Sequence, residues 1–386
     1  MRCPVALTCA LMLLGATLVG AREDDVPMPD LGQTWVEIDG EVYGAGPDEM
    51  GPIGGGEGYG PIVTDGQYTV GTIDDLLEAL SAAQPGEVVF VDPAAELDFT
   101  ALVYAEELIL HIPEGVTLAS NRGQDGAPGA LLHSDAFQTG PLLRAEGPDV
   151  RITGLRVRGP DPRTRLDHHR RAFSSGRESK DAGSYYYRLP NSVGIDTRLS
   201  GLEVDNCELS GWSHAAVSLA DGIDHYVHHC YIHHNQRNGL GYGVALGYGE
   251  QVQALIEYNV FDYNRHSIAG TGKPGNAYEA RHNVELGHAI SHYFDLHGGS
   301  DRKDGTNIAG DWLRIHHNSF LDAAQCAVVI RGVPIEGADI SRNWFAAEEP
   351  GPRVIRPWPL GGETRVDCRD NAYGIQTPRV KDNPAP

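Results

Sequence analysis

The sequence predicts an all-β chain wound as a right-handed parallel β-helix, a solenoid with an N-terminal capping helix. Three observations carry this. First, an aliphatic residue is followed three positions later by Asn, and two after that by an aromatic or aliphatic. Ile256–Asn259–Phe261, Ile315–Asn318–Phe320 and Ile340–Asn343–Phe345 show the pattern, with weaker copies through Asn283 and Asn371. Two earlier copies put Cys207 and Cys230 in the Asn position. Second, these seven positions are separated by 23, 29, 24, 35, 25 and 28 residues, a size expected of one solenoid turn per repeat. Third, beyond residue 100 the chain offers short apolar strands between Gly, Asn and Asp, and no good amphipathic helix. A buried Asn at a sharp turn satisfies backbone groups, and stacked coils let each amide bond the next. A β-sandwich or propeller with irregular repeats accounts poorly for that fixed spacing.

The elements follow in chain order. Residues 1–21 read as a signal peptide: Arg2, an apolar run from Ala6 to Val19, and small residues Val19-Gly20-Ala21 before a cleavage point at Arg22. The run is too short to span a bilayer comfortably, so a secreted protein, periplasmic or extracellular, is expected. Residues 22–68 form an acidic lead-in rich in Gly and Pro. Thr72 caps a helix whose stripe is Ile73, Leu76, Leu77 and Leu80. Gln84-Pro85-Gly86 stops it, and Val88–Val91 follows as a strand. Residues 69–386 then make a single β-helix domain. Cys207 and Cys230, on adjacent coils, are expected within disulfide reach.

Composition limits the partners. The 386 residues hold 53 acids against 30 bases, a net charge of −23, which argues against nucleic acid. A monomer with no membrane span is expected. Against this background an insertion at about 159–192 is basic: Arg163, Arg165, Arg170, Arg171, Arg177, Lys180 and Arg188 face only Asp161, Asp167, Glu178 and Asp181. With Tyr185-Tyr186-Tyr187 it reads as a lid for an acidic polymer.

The coil from Asn283 to Asn318 is the longest and carries the candidate site. With Phe294 and Leu296 inward, Tyr293, Asp295 and His297 point outward together. Lys273 and His297 each lie fourteen residues after their ladder Asn, so they are expected to stack, with Arg331 one coil later near the same column. Lys273, His297, Asp295 and His292 are the candidate catalytic residues. Arg331, Arg302, His266, Arg265 and Tyr293 complete the set as candidate substrate-binding residues. His225, His228, His229, His233 and His234 suggest a metal site by number, but alternation splits them between faces, and no metal is assigned there.

At these positions the chain resembles the β-helix polysaccharide lyases of the alginate lyase and chondroitinase B type, and the mannuronan C5-epimerases. Ile256–Phe261 followed by Gly272-Lys273-Pro274-Gly275-Asn276 is similar to the lyase stretch that holds the catalytic Lys. Leu296-His297-Gly298 is similar to the lyases' Arg-His-Gly, with the family's catalytic Arg falling on Leu296. Phe294-Asp295-Leu296-His297 resembles the epimerase Asp-Pro-His motif, with His292 near that family's catalytic Tyr. The resemblance implies an acidic polysaccharide substrate and removal of the proton on C5 of a uronic acid, with His297 as a candidate base oriented by Asp295 and Lys273 as a base or carboxylate-neutralising group. It also raises calcium as a cofactor, whose Glu pair falls near His266 and Ile268. Two other functions stay open. A glycoside hydrolase would draw on Asp295, Asp301, Asp304, Asp262, Glu279 and Glu285, and a non-catalytic carbohydrate-binding solenoid would need none of them.

Overall fold

Three short strands follow one another in each coil, and strands of equal rank stack into three long parallel sheets. The first sheet has eleven strands, from Tyr68–Val70 to Val366–Arg369, and the third has nine, from Leu110–Ile112 to Ile355–Pro357. The second has eleven, starting at Glu96–Asp98, of which the last, Arg379–Lys381, is antiparallel to Asn371–Tyr373. Apart from the first pair, Tyr68–Val70 with Val88–Val91, and that last antiparallel pair, each strand bonds the strand three strands further on, the winding of a parallel β-helix. The structure is a computed structural model describing residues 27–178, 186–187, 189–358, 364–375 and 379–381. The sheets belong to the unit Gly32–Pro386, with Met1–Leu31 forming the other, and the expected signal peptide lies outside the described residues. No helix among the described residues is long and apolar enough to cross a membrane.

The register explains the core. Val204, Val227, Ile256, Ala280, Ile315 and Ile340 face one another on successive coils, and all are fully buried. Phe320, Phe345 and Tyr373 stack at 5.0 and 5.3 Å in the second sheet. A buried side chain of this kind contributes about 1.5–3 kcal/mol, so the inward columns carry most of the stability.

The corner between the first and second sheets joins the coils by side chains. Asn259 donates from its backbone N and its Nδ2 to Asn283 Oδ1, both at 3.0 Å. The same pair of bonds links Asn283 to Asn318, Asn318 to Asn343 and Asn343 to Asn371. At the top of the column Cys230 N donates to Asn259 Oδ1 at 3.0 Å and Cys207 N to Cys230 Sγ at 3.4 Å, with both thiols free. The residue before each position, including His229, Tyr258, His282 and His317, has φ between 49 and 55°. Left-handed backbone costs a non-glycine residue about 1 kcal/mol, which the amide column offsets. Asn318→Ala leaves the buried N–H of Asn283 without its partner and removes the side-chain bonds to Ala280 O and Asn343 Oδ1. At about 1–3 kcal/mol per orphaned group, this substitution is expected to lower the denaturant midpoint clearly. An unchanged midpoint would show that the column is decoration.

The helix Ile73–Ala82 (α1) forms as its pattern requires. Thr72 Oγ1 accepts from Asp75 N at 3.2 Å, Leu76, Ala79 and Leu80 are buried, and Ile73 and Leu77 pack on the same core. Beyond residue 100 the reading of strands alone needs correction. Thr100–Glu106 (α2) is helical with only Val103 buried, and the basic insertion contains the helix Leu166–Glu178 (α3). Neither has the aliphatic stripe that periodicity detects. The lead-in is also more than a spacer. It holds the hairpin Trp35–Ile38 and Glu41–Gly44, then follows the coil corners, where Gly54 N donates to Tyr258 O at 2.8 Å and Tyr59 Oη to Asp205 Oδ2 at 2.9 Å.

Candidate active site

A bend repeated at one level of the third sheet decides which side chains face out. The pairings Ala215↔Tyr242↔His266 and Val217↔Val244↔Ile268 are kept, while the residues between them, Ala216, Gly243 and Ser267, drop out of the ladder. One coil later Ser267 N and Ile268 N both bond the Tyr293 carbonyl. The bend turns two consecutive residues inward, so Tyr293 and Phe294 are both in the core, and the residue before them, His292, takes the outward column of Tyr242 and His266. Tyr293 is therefore not a substrate-binding residue. It is fully buried and donates its hydroxyl to Asp322 Oδ2 at 2.8 Å.

Past the bend the alternation places Asp295 outward, yet its side chain is entirely covered by its neighbours. Arg331 donates through Nε to Oδ1 at 3.0 Å and through an Nη to Oδ2 at 2.6 Å. His292 Nε2 lies 3.1 Å from Oδ1, His297 Nε2 lies 2.9 Å from Oδ2, and His266 Nε2 lies 3.7 Å from Oδ2. Burial alone raises a carboxyl's pKa, but here His292, His297 and His266 outweigh it and hold Asp295 well below the ordinary carboxylate range. Burial, reinforced by Arg265, pushes His266 well below the usual imidazole value and keeps it neutral, and burial also lowers His292. Arg331 extends to Asp301 Oδ1 at 3.3 Å and to His292 Nε2 at 3.1 Å, so its guanidinium ties the cluster together. His297, with its side chain 24% exposed, is the imidazole of the cluster that reaches solvent most, beside Arg331 at 26%.

Glycines let these coils approach. A Cβ on Gly272, where φ is +64°, would lie 1.8 Å from the His297 carbonyl oxygen, and one on Gly298 would lie 1.9 Å from that of Arg331. Leu296-His297-Gly298 therefore reads locally as an inward anchor, an outward functional group and a close crossing of the next coil.

The expected stack of Lys273 on His297 is not formed. The pairing Gly270↔Leu296↔Ile330 puts Thr271, His297 and Arg331 at one level, with Lys273 two residues further into the turn. Asn259 to Gly270 spans eleven residues and Asn283 to Leu296 spans thirteen, so counting from the ladder Asn misaligns the coils by two. Lys273 Nζ instead donates to the Tyr248 carbonyl at 3.1 Å, on the preceding coil. Arg302 is also not available to a substrate. Its side chain is 4% exposed, and its guanidinium bonds Asp304, Thr306 and the carbonyls of Thr271, His297 and Ile308. It staples the turn after His297.

Arg265 is half-buried, with its guanidinium 5.7 Å from the centre of the Tyr242 ring and 3.5 Å from that residue's hydroxyl. Among the described residues it has no carboxylate partner, which leaves a cation beside His266 and His292. Tyr242 was not picked out from sequence. Aligning Tyr242-Gly-Val-Ala-Leu with His266-Ser-Ile-Ala-Gly would have revealed it, because the two strands pair in that register. Its hydroxyl donates to Gly239 O at 3.2 Å, and burial raises its pKa, so it stays protonated.

The basic insertion seats on that same segment: Phe173, Tyr186 and Tyr187 close around Gly239. Part of its charge is neutralised internally, Arg163 by Asp161 at 2.7 Å and Arg170 by Asp167 at 3.4 Å. Tyr185, Lys180, Asp181 and Arg188, and the side chains of Arg177 and Glu178, lie outside the described residues.

Calcium does not fit the positions at which it was expected. His266 offers nitrogen and Ile268 is a core aliphatic, whereas calcium takes oxygen ligands. In the His-rich stretch, Glu203, Asp205 and His228 bring donor atoms within 4.8 Å of one another. Asp205, however, is already held by two bonds from Arg151 at 2.8 Å and by Thr153 at 2.8 Å. Proton-sharing pairs account for these histidines better. His228 meets His229 and His316 meets His317 through Nδ1 atoms 2.9 Å apart, with Glu203 and Glu279 at the outer nitrogens. His233 and His234 repeat the unit against Glu208.

No protein-family model matches the chain, and no curated protein does. Among solved structures it is similar to the crystal structure of an alginate lyase from Paenibacillus sp. str. FPU-7, at 15% identity and a TM-score of 0.44, over 77% of this chain and 98% of that one.

Proposed function

We propose that the chain is an exported carbohydrate-active enzyme that removes the C5 proton of a uronic acid in an acidic polysaccharide, with β-elimination as the outcome and C5 epimerisation as its near relative. The observation that carries this reading is the buried, ionised Asp295 with His297 Nε2 2.9 Å from its Oδ2 at the outer surface of the third sheet. With Nε2 turned to the carboxylate, His297 keeps its Nδ1 lone pair for the substrate, the arrangement of an oriented general base. Arg265 takes the substrate carboxylate and stabilises the charge that develops there. As the C5–H bond breaks, the electron pair forms the C4=C5 double bond and the C4–O bond breaks. The departing oxygen takes its proton from Tyr242. Return of a proton to the opposite face of C5 would give the epimer instead.

A hydrolase built on Asp295 is disfavoured. Its general acid must hold a proton near neutral pH, and Asp295 is held in the opposite state. Of the raised carboxyls in this region, Glu285 lies inside the solenoid where the neighbouring coils carry Phe261 and Phe320, and Asp262, raised by burial, is engaged by His288 Nδ1 at 2.8 Å. Incubation with alginate, pectate, glucuronan and glycosaminoglycans distinguishes the readings. The ultraviolet absorbance of an unsaturated uronate is expected to rise with one of them. New reducing ends without that absorbance would instead mark a hydrolase.

A further inference from the structure

We infer that Lys273 and Tyr248 form a neighbouring subsite, which binds the carboxylate and the ring of the sugar adjoining the one that reacts. This rests on the function proposed above and adds a requirement on the substrate: the adjoining residue must also be a uronate.

Four observations lead to it. The outward column of the third sheet runs Ser218, Ala245, Ala269, Asp295 on successive coils. Two methyl groups therefore leave the floor low for two coils beside the acidic centre, roughly 10 Å at one strand spacing per coil. Next, Tyr248 and Lys273 stand in the turns that follow Leu246 and Gly270, on the side where His297 and Arg331 follow Leu296 and Ile330. They form one wall beyond His297. Third, Tyr248 is 66% exposed, a large aromatic face with little to cover it. Finally, Lys273 donates to the Tyr248 carbonyl and, among the described residues, has no carboxylate within ion-pair distance. In a chain with 53 acids and 30 bases, four of them Lys, an ammonium left without an acid is notable.

The same contact argues against Lys273 as the base. It turns Nζ back toward the earlier coil rather than forward to His297. A sugar lying over Ala245 and Ala269 would meet a phenol face and an ammonium on one side, with Tyr242 and Arg265 nearer the bend. A neutral sugar in that place would leave the ammonium unanswered.

The test separates binding from turnover. In the His297→Ala background, binding of alginate and pectate oligomers is measured by calorimetry with and without Lys273→Ala or Tyr248→Ala. Lys273→Ala is expected to weaken binding about tenfold or more, as for a charge-assisted hydrogen bond. Lys273→Arg is expected to restore most of it, and added salt to shrink the difference. In the active protein the same substitution raises KM and leaves kcat within about twofold. Oligomers that bind equally well with and without Lys273, in protein folded by circular dichroism, would overturn the subsite while leaving the proposed function standing. A large loss of kcat at unchanged KM would also overturn it by returning Lys273 to the chemistry. Failure of the parent protein to turn over or bind any oligouronate would remove both.

Discussion

His297→Ala is expected to lower turnover by on the order of 10²–10⁴-fold, the usual share of a positioned acid–base group. Asp295→Asn should fall in the same range. Asn cannot accept two hydrogen bonds from Arg331 as an anion, and its amide N–H would face either that guanidinium or an imidazole that must donate. His297 would then lose the partner that fixes its tautomer. The double variant should lose far less than the product of the two single losses, because the residues act as one unit. Stability separates the roles. His297 is partly exposed, and its removal should cost about 1 kcal/mol or less. Asp295 is fully buried and opposes Arg331, so its neutralisation leaves that guanidinium with Asp301 as its remaining carboxylate, at a cost of about 1–3 kcal/mol. An Asp295→Asn protein with full activity and an unshifted melting curve would remove the carboxylate from both functions.

Acid should destabilise this solenoid from about pH 6.5 downward through its buried histidines. Burial lowers His169 to about 4 and His234 to about 3, and both are almost fully covered. His282 and His317 are lowered to about 4 by burial together with the neighbouring imidazoles. An unfolded chain binds these protons near pH 6.5. Between 6.5 and about 4 the unfolded state therefore holds more protons than the folded one, and stability falls as pH falls. The contribution is complete above 6.5 and is lost on the way to the folded-state values. After discounting for residual solvent, His169 and His234 alone amount to roughly 2 kcal/mol each. Asp295 stays ionised across this window, so lost stability there is a histidine effect. Melting curves taken from pH 7 to 4 should show a steep decline that His234→Phe reduces. A flat profile would mean that the imidazoles are charged in the folded state.

The sequence-level reading was strongest where the physics is periodic. Alternation at period two and an amide column at each corner are sufficient to expose the winding, since a misregistered coil would bury the wrong face. Asp295, His297 and Arg331 were legible for that reason: they follow the alternation away from the inward Phe294, Leu296 and Ile330. The misses lie where periodicity breaks. The bend at Ser267 and Tyr293 turns two successive residues inward, which moved Tyr293 into the core. Unequal arcs between ladder and third sheet displaced Lys273 from His297. Arg302 failed for a different reason, since a charged residue in a Gly-rich turn gives no sign that five backbone and side-chain groups will claim it. The left-handed corner residues, with His229, Tyr258 and His282 stacked at 4.9 Å, were also missed, because Tyr and His carry no turn signature.

The central claim is that the cluster around Asp295 removes the C5 proton of a uronate, and isotope exchange at that carbon tests it most directly. Oligouronates are incubated with the protein in heavy water and followed by nuclear magnetic resonance. The account predicts either the vinylic signal of a C4=C5 product or deuterium appearing at C5 with inverted configuration, and neither with His297→Ala. Chain shortening with C5 still protonated, or unaltered oligomers bound but never exchanged, would contradict it.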